Sequence, residues 1–282
     1  MKMQLVAVLL AAVLVRAAAA EMSDATVKLK ELAARVETKV KDGKKSEKDL
    51  ADELKEFEAL LAKHKEEKTD DVAEVLWAEA MVYLQVFENT EKGVELLKRL
   101  KRDFPDTRSA QSADQMLESI PKQEQARGIQ RELIEGAKFP DFNEEDVAGK
   151  PLSVSSCRGK VVLVDFWATW CAPCVGELPN ILKIYEKHHN QGFEIIGISL
   201  DKDESKLTAF TRQKKMGWRQ IFDGKGAGSK LADNYGIITI PATFLLDAEG
   251  KIIAEDLQGN ALEEAVAKAL ARKSVAAVRI TL

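Results

Sequence analysis

The chain has 282 residues, 45% hydrophobic and 31% charged, a balance that fits about two globular domains and excludes a disordered or collagen-like chain. Its 42 basic and 46 acidic residues leave a formal net charge of −4 and are interspersed along the sequence. Nucleic-acid binding needs clustered lysine and arginine to neutralise phosphates, so no nucleic-acid partner is expected.

At the N-terminus, Lys2 precedes an apolar stretch from Met3 to Val15 broken only by Gln4, and Ala17 to Ala20 supply small residues. A basic start, a short apolar run and an Ala-x-Ala site at Ala18 and Ala20 predict a secretory signal over 1–20, cleaved before Glu21. An uncleaved anchor and a buried helix are the alternatives. The run falls short of the ~20 residues that span a bilayer. No later segment is long and apolar enough, so no transmembrane segment is expected after cleavage.

Residues 21–135 read as a helical domain. Leu29, Leu32, Val36 and Val40 recur at spacings of three and four, which places them on one helix face, and Gly43 is a stop signal. Ser46 is expected to cap a second helix with Leu50, Leu54, Phe57 and Leu61 on its apolar face. Leu76, Ala80, Tyr83 and Phe87 form a third stripe. Asn89 or Thr90 can cap a fourth helix with Val94, Leu97, Leu100 and Phe104. Pro105 ends it, and Asp106 or Thr107 starts a fifth running towards Ile120. The stretch Val94–Leu117, with its Phe104-Pro105-Asp106-Thr107 turn and Ala110 and Ala113, resembles tetratricopeptide-type hairpins over about one and a half units. A partner-binding module and a plain helical cap or spacer are both compatible with it.

The pattern changes near Lys138, and residues 136–273 form the second domain. Phe139-Pro140-Asp141-Phe142 is a turn-rich entry. Val161-Val162-Leu163-Val164 is a β-branched run of the kind that makes a buried strand. A helix follows from the second cysteine of the Cys171–Cys174 pair to about His189, then a strand over Phe193–Leu200 and a helix over Asp203–Lys215. Strands at Gln220–Asp223, Ala242–Leu246 and Lys251–Asp256 come next, the last two joined by the turn Asp247-Ala248-Glu249-Gly250. Ala261–Arg272 is a closing helix, and 274–282 is a tail without a clear pattern. Alternation of this kind predicts an α/β fold, a central mixed sheet flanked by helices, preceded by an all-α domain.

Three cysteines occur, Cys157, Cys171 and Cys174. Three thiols cannot all pair within one chain, so one close pair and one spare are expected, not a stapled framework. Trp170-Cys171-Ala172-Pro173-Cys174 directly follows the first strand. With Cys171 at a helix N-terminus, unpaired N–H groups and the helix dipole stabilise a thiolate there. Cys171 is then the nucleophile, and Cys174, one turn on, resolves the mixed disulfide. Pro173 is tolerated in the first turn. Zinc sites share this spacing, but only one other cysteine exists, and His188 and His189 lie well along the helix. Metal handling is the alternative reading. Cys157, ahead of the Arg158-Gly159 turn, reads as a small semi-buried residue, with a regulatory thiol as the alternative.

The segment Val162 to Cys174, reading Val-Leu-Val-Asp-Phe-Trp-Ala-Thr-Trp-Cys-Ala-Pro-Cys, resembles the thioredoxin superfamily, and within it the extracytoplasmic TlpA/ResA-like branch. Gly159-Lys160, Glu177-Leu178-Pro179, Ile195 to Ser199 with Asp201, Tyr235-Gly236 and Ile240-Pro241-Ala242-Thr243-Phe244 agree with it, over residues 138–273. The resemblance implies a thioredoxin-like fold, protein-disulfide oxidoreductase activity, and no cofactor beyond the Cys171–Cys174 disulfide. It implies a cis peptide bond before Pro241, with the Ile240 backbone pairing to an extended substrate. It makes Asp165 a buried acid that takes the Cys174 proton and Glu177 an acid near the cysteines. Trp170 shields the sulfur and packs on substrate, Trp167 belongs to the core, and Pro179 kinks the helix. The expected partners are clients with thiols or disulfides and a membrane thiol-transfer partner, in a secreted or periplasmic setting.

Two rival functions remain for the cysteine pair, and a third possibility makes the helical domain the working part and the redox domain only an attachment. Peroxiredoxins share the fold, but their Pro-x-x-x-Thr-x-x-Cys pattern fails here. Counting back gives Ala168 and Val164 from Cys171, or Cys171 and Trp167 from Cys174. A metallochaperone or assembly role for copper or haem proteins is the other. On direction, helices that precede the thioredoxin-like domain, not inserted within it as in the strong periplasmic oxidants, favour a reductant.

Overall fold

Helical stripes and β-branched runs sort into separate stretches of the chain, and in the computed structural model they fold as two compact units, one ending at Pro121 and the next beginning at Lys122. The structure describes residues 22–280. The export signal over 1–20 therefore lies outside the described residues. Among those residues no helix is long and apolar enough to cross a membrane.

In the first unit the polar residues that break the apolar stripes also start the helices. Helix α1 (Asp24–Lys41) is capped by Ser23, whose Oγ accepts the Thr26 N–H, and it buries Leu29, Leu32, Val36 and Val40. Helix α2 (Ala51–Lys63) begins later than Ser46 suggests. Ser46 and Asp49 bond each other instead, through Oγ to Oδ2 at 2.6 Å, and hold a separate turn that leaves Leu50 at the N-cap. Helix α3 (Asp70–Met81) is capped by Thr69 and continues into a π-helical turn, Val82–Val86, so the third stripe leaves regular α geometry before Phe87. Asn89 caps α4 (Thr90–Asp103). This helix buries Leu96, Leu97 and Leu100, while Val94 is only half-buried. The Thr107 hydroxyl accepts the Ala110 N–H at the start of α5 (Arg108–Gln130). This helix runs past Ile120 and through Pro121, where the first unit ends, and its residues from Lys122 to Gln130 belong to the second. Glu79 is buried among the apolar residues with one carboxylate oxygen lacking a hydrogen bond, and burial pushes its pKa up to about 7.

The second unit is built on a five-stranded sheet of order β5-β4-β3-β6-β7, after a two-residue pair β1 (Glu144–Glu145) and β2 (Pro151–Leu152). Strand β3 (Val161–Trp167) is central and buried along its whole length. It runs parallel to β4 (Phe193–Ser199), which is parallel to β5 (Arg219–Phe222). On its other side it is antiparallel to β6 (Ala242–Leu246), which pairs with β7 (Ile252–Glu255). Side chains alternate across such a sheet. Val162, Val164 and Phe166 enter one core with Phe139, Tyr235 and Phe244. Val161 and Leu163 enter the other, under α6 (Ala172–His188) and α9 (Gly259–Ile280). Helix α7 (Glu204–Gln213) and the short α8 (Lys230–Asn234) complete the unit. The closing helix exceeds the expected Ala261–Arg272, and helical backbone replaces the patternless tail as far as Ile280.

The loop from α8 to β6 carries Pro241, and Gly236 fixes its start. Gly236 has φ +64°, and a Cβ there would lie 2.5 Å from the Ala126 carbonyl oxygen, while Gln130 Nε2 donates to the Gly236 carbonyl at 2.8 Å. Both the backbone conformation and the close approach exclude a side chain. Gly236→Ala is therefore expected to cost more than about 1 kcal/mol in urea denaturation. An unchanged midpoint would show that this contact is not built as described.

Candidate active site

A strand that ends in a buried aromatic and is followed at once by a helix start brings its connecting loop to the sheet's carboxyl edge. Here Ala168 to Trp170 form that loop, and Cys171 is the N-cap of α6. The Cys174 N–H donates to Cys171 Sγ at 3.2 Å, so one otherwise unpaired helix donor is aimed at the sulfur. Cys171 and Cys174 form a disulfide with their Cα atoms 5.3 Å apart. Both are buried, whereas Trp170 beside them is 64% exposed. Pro173 lies in the first helical turn, where no intrahelical bond is lost, and Pro179 lies inside the helix.

The loop is held by a carboxylate to which the sequence reading gave no role. Asp201, buried just beyond β4, accepts the Thr169 backbone N–H at 3.0 Å and its hydroxyl at 2.5 Å. Ser199 donates to the same carboxylate at 2.8 Å. The residue leading into Trp170 and Cys171 is thus tied to the neighbouring strand.

Asp165 sits in β3 between Gly197 of β4 and Thr243 of β6. It is 5% exposed, and the described residues give its carboxyl neither a hydrogen-bond donor nor a cation. Burial first, and the charge of Glu177 second, push its pKa up to about 7. Asp165, Cys174, Glu177 and Pro241 line one cavity. The Glu177 carboxylate accepts hydrogen bonds from the Gly259 N–H and the Asn180 amide, each at 2.7 Å. Trp167 is a core residue whose indole N–H donates to Gln220 at 2.9 Å.

The Ile240–Pro241 bond is cis. Ile240 and Pro241 are half-buried, and Ile238 nearby is 57% exposed. The seven residues singled out from sequence belong to the second unit: Cys174, Asp165, Glu177 and Pro241 line the cavity, Trp170 and Cys171 lead into α6, and Ile240 precedes the cis bond. Cys157 is a free cysteine buried in the same apolar core as the disulfide, and burial raises its thiol pKa. His188 bonds Gln191 and His189 bonds the Phe193 carbonyl, at the far end of α6.

A thioredoxin-like sheet with a Cys-x-x-Cys disulfide at a helix N-terminus and an unpaired carboxyl in the strand before it defines the thiol–disulfide exchange class. The AhpC/TSA family matches residues 136–255. The thiol-disulfide oxidoreductase ResA of Bacillus thuringiensis subsp. konkukian is 33% identical over 129 residues, covering 46% of this chain and 72% of the relative. ResA of Bacillus subtilis is 31% identical over 121 residues, covering 43% and 66%. The thioredoxin domain of a thiol-disulfide oxidoreductase from Bacteroides vulgatus is 34% identical, covering 48% of this chain and 97% of that structure, with a TM-score of 0.45. The chain belongs to the ResA family of thiol-disulfide oxidoreductases. Residues before 136 fall outside the family match.

A carboxyl that titrates near 7 when folded and near 3.8 when unfolded loses its proton from the unfolded chain first. Its protonated form therefore stabilises the fold fully below about pH 4, and that stability is lost as pH rises through about 7. Glu79 acts in the same direction, so the test is a difference between chains. The urea midpoint of the oxidised protein should fall between pH 5 and pH 8, and Asp165→Asn should remove the part due to this residue. An identical fall in the variant would contradict the burial argument.

Proposed function

We propose that the protein reduces disulfides in client proteins through a Cys171–Cys174 dithiol/disulfide cycle, in an extracytoplasmic space, and is recharged by a membrane thiol-transfer partner. The observation that carries the reading is the placement of one cysteine at a helix N-cap and the other on the cavity of a buried, unpaired carboxyl. The Cys171 thiolate attacks one sulfur of a client disulfide, forming a mixed disulfide and releasing the other client sulfur as a thiolate, which takes up a proton. Asp165 in its ionised form accepts the Cys174 proton. Cys174 then attacks Cys171 Sγ, the second client sulfur leaves as a thiol, and two electrons have passed from the pair to the client. The product is the disulfide form described above.

Exposed Trp170 and the Ile240–Pro241 segment form the client-facing surface in this reading, with the Ile240 backbone pairing to an extended client strand. The export signal expected over 1–20 and the resemblance of the second unit to an extracytoplasmic branch support the location. Membership of the ResA family supports the exchange chemistry.

Insulin reduction with dithiothreitol as electron source tests the chemistry. Cys171→Ser should reduce turnover to the uncatalysed rate. Cys174→Ser should accumulate a mixed disulfide with the client that Cys171→Ser never forms. Asp165→Asn should slow release of that mixed disulfide at pH 7 by about 100-fold. Trapping through Cys174 instead of Cys171 would reverse the roles. Turnover of hydrogen peroxide at rates above those with insulin would replace this reading by a peroxidase.

A further inference from the structure

We infer that Asn180 is a positioning residue for the exchange reaction: its amide clamps the Glu177 carboxylate to the first residue of α9 and so holds that charge on the cavity beneath Cys174. The inference rests on the reading of Asp165 as the proton acceptor for Cys174.

Asn180 follows Glu177 by three positions on α6, a spacing that puts both side chains on one face. Its Nδ2 donates to Glu177 Oε1 at 2.7 Å and to the Gly259 carbonyl at 3.1 Å. The Gly259 N–H donates to the same Glu177 Oε1 at 2.7 Å. Two side chains and one residue's backbone therefore close a ring between the active-site helix and the start of α9. Both neighbours of the Asn180 amide are acceptors, so only its NH₂ end satisfies them, and that group has a hydrogen for each. Alanine or leucine supplies no donor, and aspartate none either. Gly259 itself adopts φ +56° with open space where a Cβ would lie, so its backbone conformation, not crowding, sets this corner.

The clamp matters because of what the carboxylate faces. The titratable groups on the cavity wall are Asp165 from β3, Cys174 and Glu177 from α6, and Asp256 after β7, whose carboxylate accepts the Thr243 N–H at 3.0 Å. The lining residues include no lysine or arginine. A negative charge fixed on this wall acts on Asp165 through protein, where it is poorly screened. The same carboxylate released to solvent would act far more weakly. Glu177 is the second cause, after burial, of Asp165 holding its proton. Freed of Asn180, Glu177 keeps the Gly259 donor alone and can turn outward.

The experiment follows the pH profile of mixed-disulfide resolution in the full chain, by stopped-flow from pH 5 to 9 with a small aromatic disulfide as oxidant. Asp165→Asn should remove the limb near pH 7. Glu177→Gln should move that limb to lower pH, because a repelling charge is gone. Asn180→Ala should move it the same way by about 0.5 pH unit, which is about threefold faster resolution on the acid side. In the Glu177→Gln background Asn180→Ala should add nothing. Asn180→Gln, which keeps both donors, should restore most of the original profile. Asn180→Leu keeps the volume without the donors and gives the same reading if the alanine variant fails to fold. A limb that Glu177→Gln moves and neither Asn180 variant moves would overturn the inference and leave the role of Asp165 standing. An equal Asn180 effect with and without Glu177 would also overturn it. A limb that survives Asp165→Asn would overturn the proton-acceptor reading, and this inference with it.

Discussion

A carboxyl group in the middle strand of a five-stranded sheet, with neither cation nor donor among the described residues, is the constraint around which the second unit is arranged. Burying such a group is costly unless it keeps its proton. Three features meet that cost at one place. Gly197 and Thr243, its strand neighbours, bring no opposite charge. The cavity beside it is walled by Leu178, Ile181 and Leu262. Among the described residues the charge of Glu177 raises its proton affinity further. The result is an acid poised near neutrality on the same cavity as Cys174, the placement that the proposed cycle uses.

The cysteine pair depends on a second set of local contacts. Cys171 caps α6 in place of the usual serine or aspartate, so its sulfur receives a backbone donor as a hydroxyl or carboxylate would. The loop that delivers it is held by Asp201 through Thr169, and Trp167, the last residue of β3, is held by Gln220 from β5. Exchange chemistry and sheet packing are therefore linked through the end of one strand. Trp170 before the pair and Ala172 and Pro173 within it are exposed, while Ile240 and Pro241 are half-buried.

Much of this was legible in sequence because it is local. The β-branched run at Val161, the hairpin around Asp247 and the Cys-x-x-Cys after a strand each signal themselves within a few residues, and Ala242–Leu246 has the bounds expected of it. Ends of elements were harder, since caps compete. Ser46 has an equally good partner in Asp49, so α2 starts later, and Pro121 does not stop α5. The clamps around the site were not legible. Asn180 meets Gly259 across 79 residues, Trp167 meets Gln220 across 53, and Thr169 meets Asp201 across 32. Polar residues at such separations look like ordinary surface until the fold brings them together. The π-helical turn after Met81 also has no sequence signature.

The most direct test of the account is the reduction potential of the Cys171–Cys174 pair, measured on residues 21–282 by equilibration with dithiothreitol and glutathione buffers at pH 7. A value of about −270 mV or below is predicted for a pair that keeps client thiols reduced. A value of about −120 mV would make the protein a disulfide donor and contradict the direction of the cycle. Failure of the pair to interconvert with either buffer would contradict the exchange chemistry itself.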